Sequence, residues 1–112
     1  MAQHSFGYPC DVRALLLIAQ QFGAKVIEDC ATTFDSRSNG VAVGDIGDAA
    51  IFSTDHTKPL NTLAGGLAYT RDEALLRGLR NIAENAMPLS LEKQFAMWRR
   101  LRLEVRHREP TI

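Results

Sequence analysis

The chain has 112 residues, 46% hydrophobic and 23% charged, the proportions of an ordinary globular protein with room for one modest domain. Thirteen basic residues cancel thirteen acidic ones, which argues against electrostatic capture of nucleic acid or of an anionic membrane. No run approaches the roughly 18 apolar residues of a membrane helix, and no basic-then-apolar leader opens the chain, so the expected location is the cytoplasm.

His4 to Pro9 reads as a loop broken by Gly7 and Pro9. Asp11 is placed to cap a helix starting near Val12, whose apolar stripe is Leu15, Leu16, Ile18, Ala19 and Phe22, with Gly23 ending it. Lys25 to Glu28 is a short β-branched strand, so helix and strand make the αβ half of a parallel crossover unit. Residues 30–47 are polar and carry the hairpin signal Asn39-Gly40, with Gly44 and Gly47 beyond it. Ala49 to Ser53 reads as the next buried strand, 54–65 as a functional loop, and Gly66 to Thr70 as a further strand. Thr70-Arg71-Asp72-Glu73 is a capping box for a helix to about Ala83, with Leu75, Leu76, Leu79 and Ile82 facing inward. Beyond Pro88, Ser90 caps an amphipathic helix over residues 89–107 that carries Phe95, Trp98, Leu101 and Val105. Its arginines, Arg99, Arg100, Arg102, Arg106 and Arg108, read as a solvated face. The pattern is α/β: a mostly parallel sheet, its strands buried on both sides and flanked by helices.

Ligands bind such sheets beyond the carboxyl ends of the strands, and Asp29 and Ser53 both stand there. A carboxylate where water is scarce needs a cationic partner, and the pyridinium nitrogen of pyridoxal phosphate is one. Lys58, between Thr57 and Pro59, suits a Schiff-base lysine that also moves a proton; Ser53 and Thr57 suit phosphate donors. Each residue also has a plain reading: Asp29 as a loop cap, Lys58 as an exposed loop lysine, the hydroxyls as partners of nearby backbone. His4 and His56 read as loop histidines without ligand-spaced partners, and Cys10 and Cys30 fit neither a disulfide framework nor a zinc spacing, so no metal is expected. A phospho-receiver shares an acidic pair and a Lys-Pro, but needs more strands between them than Glu28-Asp29 and Lys58-Pro59 leave room for.

Taken in order, several motifs resemble the DegT/StrS-type nucleotide-sugar aminotransferases, fold-type I enzymes that use pyridoxal phosphate. They are His4-Ser5-Phe6-Gly7, Asp11, Val26-Ile27-Glu28-Asp29, the glycine run Gly40 to Asp48, Phe52-Ser53, Thr57-Lys58, Gly65-Gly66 and Thr70. The match covers roughly residues 4 to 85. The resemblance implies that Asp29 pairs with the pyridine nitrogen, Ser53 binds the phosphate and Lys58 is the Schiff-base lysine. Thr32 stands where the family usually has a cofactor-holding glutamine, Phe34 where it has a histidine, and Ala64 where an acid often precedes Gly-Gly.

The implied reaction moves an amino group, usually from glutamate, to a nucleotide-linked keto-sugar, in a homodimer. The 112 residues then correspond to part of the large, cofactor-binding domain, with a phosphate-binding turn before residue 1 and a small domain after residue 112. Two other readings remain. One is a non-catalytic relic or interaction module with this fold; the other is a dehydrating relative, less favoured because Lys58 is present.

Overall fold

The computed structural model describes residues 1–108, with side chains as far as Arg106; Arg108 of the basic stretch lies outside the described side chains. The elements are β1 (Ala2–Gln3), α1 (Val12–Gln21), β2 (Ile27–Asp29), β3 (Arg37–Ser38), β4 (Val41–Ala42), β5 (Ala49–Ser53), β6 (Gly66–Thr70), α2 (Glu73–Glu84) and α3 (Leu91–Arg108). One sheet runs β1-β2-β5-β6; its first three strands are parallel and β6 is antiparallel. The second sheet is the small hairpin β3-β4, whose turn residues Asn39 and Gly40 both take positive φ, as a tight hairpin requires.

Asp11 caps α1 by accepting the Ala14 N–H at 3.0 Å. Val12, Leu15, Leu16 and Ala19 then pack on Ala2, Val26 and Ile46. The outer side of α1 is bare: Ile18 and Phe22, expected in its buried stripe, are exposed. Cys30, Val43 and Ala50 form a second small core under Phe52.

Side chains alternate across the strands, so Val26, Glu28, Ala50 and Phe52 face these cores while Ile27, Asp29, Ile51 and Ser53 face the other way. That second face is covered only in part, by Leu75 and Leu79 of α2 over a 170 Å³ cavity floored by Ile27, Ile51 and Ala68. Ile27 and Ile51 remain 42% and 41% exposed, so burial on both faces, as expected of a parallel sheet, is not found among the described residues.

The capping box also resolves differently. Asp72, not Thr70, caps α2, accepting the N–H groups of Ala74 and Leu75 at 2.8 and 3.2 Å. Thr70 donates instead to the Asp48 carbonyl at 2.7 Å. In α2, Leu75 and Leu79 turn toward the sheet as expected, but Ile82 is exposed rather than inward. In α3, Ser90 accepts the Lys93 N–H as expected, yet Phe95, Trp98, Leu101 and Val105 all remain exposed. Arg102 lies over the Trp98 ring at 4.7 Å. Among the described residues no helix is long and apolar enough to cross a membrane.

Candidate functional site at the carboxyl ends of the strands

β2 and β5 are parallel with Asp29 opposite Ile51, and β6 returns with Gly66 opposite Ser53. Asp29 and Ser53 therefore share one end and one face of the sheet. Asp29 is half-buried, and its Oδ1 accepts the Ala31 N–H at 2.9 Å, a local turn that fixes the carboxylate. Among the described residues nothing donates to Oδ2, and no buried side-chain polar atom lacks a partner, so Oδ2 is open to solvent or ligand. Ser53 is half-buried and makes no described side-chain hydrogen bond.

Lys58 sits on the loop leaving this same end. The loop is pinched at its base: Thr54 donates its N–H to Gly65 at 3.0 Å, Thr62 donates to Thr54 at 2.9 Å, and their hydroxyls meet at 2.6 Å. Residues 55–61 project beyond that clasp. The Lys58 N–H closes a turn on the Asp55 carbonyl at 2.9 Å, and its half-buried side chain has no acidic partner among the described residues. The His56 ring and N–H both meet Asp55 Oδ1 at 2.6 Å and hold that carboxyl below its usual range.

Thr32 is placed differently from a free ligand. Its hydroxyl donates to the His4 carbonyl at 2.9 Å and accepts the Phe6 N–H at 3.4 Å, so its hydrogen is committed to the neighbouring loop.

The structure adds a constellation that sequence reasoning missed. His4 is fully buried, not a loop residue without partners, and its Nε2 lies 3.0 Å from Glu28 Oε2. His4 Nδ1 accepts the Cys10 N–H at 3.0 Å, so the ring proton belongs on Nε2 and is donated to Glu28. Glu28 also accepts the N–H groups of Gly44, Ile46 and Gly47, two bonds to each oxygen in all. Burial pushes this carboxyl up, but the N–H groups of Gly47, Gly44 and Ile46, with His4, outweigh it and leave it below its ordinary value.

The glycines are required for this cradle. Gly44 has φ +89° with the Phe52 ring where a Cβ would stand, and a Cβ on Gly47 would come within 2.8 Å of the Val26 carbonyl. The spacing Gly40 to Asp48 is thus read as a carboxylate cradle, and that spacing was the one signal in the sequence. Cys30 lies close to His4 and Glu28, a grouping with metal-ligand chemistry. However, the accepting positions of His4 and Glu28 are filled by N–H donors. Burial, with Glu28 and Asp29 nearby, pushes the Cys30 thiol up to about 12. The group is a structural lock.

Among the described residues, an open carboxylate oxygen, a hydroxyl with no hydrogen bond and an amine with no acidic partner thus stand at one end of the sheet, a set able to take a cationic ring nitrogen, an anion and a carbonyl. Comparison with known proteins gives the family. The model of the DegT/DnrJ/EryC1/StrS aminotransferase family matches residues 1–100. A UDP-N-acetyl-3-dehydro-alpha-D-glucosamine 3-aminotransferase of Acidithiobacillus ferrooxidans is 42% identical over 82 residues, 70% of this chain and 22% of the relative. A dTDP-3-amino-3,6-dideoxy-alpha-D-galactopyranose transaminase of Aneurinibacillus thermoaerophilus is 41% identical over 85 residues, 76% of this chain and 23% of the relative. The crystal structure of the aminotransferase TlmJ from Streptoalloteichus hindustanus superposes with a TM-score of 0.68 at 34% identity, over 77% of this chain and 24% of that one. The chain thus spans less than a quarter of the length of these relatives, and it belongs to the DegT/DnrJ/EryC1/StrS aminotransferase family.

Proposed function

We propose that this chain is the lysine-bearing part of the large domain of a pyridoxal-phosphate-dependent aminotransferase acting on a nucleotide-linked keto-sugar, with glutamate as amino donor and a homodimer as the working form. Family membership and the printed activities of the relatives support the reaction class. The observation that carries the cofactor is Asp29, one oxygen tied by Ala31 and the other open at the sheet edge that also presents Ser53.

In this reading the cofactor, when bound, supplies an electron sink for breaking a C–H bond next to nitrogen. Asp29 Oδ2 accepts the ring N–H and keeps that nitrogen protonated. Ser53 donates its hydroxyl to the phosphate. Lys58 Nζ holds the cofactor covalently at rest, then takes and returns the proton at the reacting carbon. Thr32, tied to His4, borders the cofactor from the following turn. The pinched base of the 54–65 loop fixes where Lys58 starts.

The test is absorbance of the native-length protein with pyridoxal phosphate, followed by borohydride and peptide mapping. The expected result is one reduced adduct on Lys58, lost in Lys58→Ala. Labelling spread over surface lysines and unchanged by that substitution would instead favour a non-catalytic module.

A further inference from the structure

We propose that the buried His4–Glu28 pair is a positioning device for Asp29, bracketing the stretch of chain that carries it so that its open carboxylate oxygen meets the cofactor's ring nitrogen. The inference rests on the reading of Asp29 given above.

The bracket is made by one residue. The His4 backbone N–H donates to the Asp29 carbonyl at 3.0 Å. Its ring Nε2 donates to Glu28, the residue before Asp29, at 3.0 Å. Its carbonyl accepts the hydroxyls of Thr32 and Thr33, in the turn after Asp29, at 2.9 and 3.2 Å. Glu28 carries the restraint onward, because Gly44, Ile46 and Gly47 come from the segment that leads into β5. The exit of β1 and the segment leading into β5, which flank β2, are therefore tied together through Glu28, the residue before Asp29, whose side chain lies on the opposite face.

An apolar pair would fill the same space without the cost of desolvating a carboxylate. Hydrogen bonds add direction, which packing does not. Direction matters here because an ion-paired hydrogen bond to a ring nitrogen weakens within tenths of an ångström. Glu28 and His4 reach no ligand themselves; both are fully buried and their polar atoms are occupied. They act through Asp29.

Two variants separate positioning from bulk stability. The amide nitrogen of His4→Gln stands near the lost Nε2 and still donates to Glu28. The oxygen of His4→Asn stands near the lost Nδ1 and satisfies only Cys10. In the native-length protein, His4→Asn is expected to bind pyridoxal phosphate on the order of tenfold more weakly than His4→Gln. It should also raise the pH midpoint of the bound cofactor's absorbance, because a less firmly protonated ring withdraws fewer electrons from the Lys58 nitrogen. Thr33→Val loosens the bracket from its far side, keeps the buried pair intact, and is expected to shift that midpoint in the same direction.

Equal affinity and equal midpoint in the Asn and Gln variants, or a wild-type midpoint in Thr33→Val, overturns the inference. Absence of any Lys58 adduct in the wild type overturns the cofactor reading, and this inference with it. A wild-type adduct with indifferent variants overturns the inference alone.

Discussion

Asp48 accepts the Val26 N–H through Oδ2 at 2.8 Å and Lys25 Nζ through Oδ1 at 3.0 Å, so one carboxylate joins the start of β5 to the start of β2. The Val26 N–H holds its carboxyl below the usual 3.8; burial opposes this, and Lys25 adds to it. A depressed carboxyl stabilises the fold above its unfolded value, and the gain is lost as pH falls through the lower folded value. Asp48→Asn keeps an acceptor for Val26 but removes the charge. It should cost about 1 kcal/mol at neutral pH, since charged hydrogen bonds exceed neutral ones by about that much. The gap from wild type should close as pH drops below about 3.8. Urea denaturation at a series of pH values measures it; a gap constant down to pH 3 would contradict the assignment.

A glycine of the Glu28 cradle and one outside it, at the end of α1, should rank by what a methyl group would meet. Gly23 has φ +62° and open space around its Cβ position, so Gly23→Ala costs only backbone strain, about 1 kcal/mol. A Cβ on Gly47 meets the Val26 backbone carbonyl at 2.8 Å, where nothing flexible can yield, and any shift pulls the Gly47 N–H off Glu28. Gly47→Ala should therefore cost about 3 kcal/mol or more, combining overpacking with a weakened bond to a buried charge. Equal melting temperatures for the two variants would refute the cradle.

Cys30 and Cys10 should differ sharply in reactivity. Burial, then the charges of Glu28 and Asp29, push the Cys30 thiol up to about 12, so at pH 8 only about one part in ten thousand is thiolate. It is also enclosed, whereas Cys10 is half-buried. Iodoacetamide at pH 8 should label Cys10 first and leave Cys30 unmodified until urea unfolds the protein. Mass spectrometry of the peptides reads this directly, and prompt labelling of Cys30 in the folded protein would show that His4, Glu28 and Cys30 do not share a closed interior.

Local features were legible in the sequence. Asp11 with the following periodic stripe gave α1, the apolar run at Ala49 gave β5, and Asn39-Gly40 gave the hairpin, because each signal lies within a few residues of what it specifies. Features decided at a distance were not. His4 and Glu28 are 24 residues apart, so nothing near His4 announces a partner. Thr70 looked like a cap, but the Asp48 carbonyl, brought alongside by strand pairing, takes its hydroxyl. At the site, Asp29 and Ser53 were placed on one edge by topology alone, and parallel pairing of β2 with β5 puts them there. Nothing near Thr32 announced its bond to the His4 carbonyl, which spans 28 positions.

The bare sheet face gives a last prediction. Ile27 and Ile51 share one face of the sheet, each two residues before Asp29 and Ser53 respectively, and α2 leaves both about two-fifths exposed. Covering one isoleucine fully stabilises by about 1.5–3 kcal/mol, so a second surface pressed onto this patch would gain several kcal/mol in total. The 112-residue chain on its own should therefore self-associate as concentration rises, seen by sedimentation velocity, and should bind a hydrophobic dye. Ile27→Lys with Ile51→Lys places two charges on the patch and should shift the chain toward monomer without unfolding it, because neither residue belongs to the buried clusters around Val26 or Ala50. In the longer aminotransferase proposed above, where further chain would cover this face, the same pair is expected to be strongly destabilising, since burying an unpaired lysine costs far more than exposing one. Unchanged association in the double variant would move the sticky surface to the outer side of α1, where Leu17, Ile18 and Phe22 are also bare.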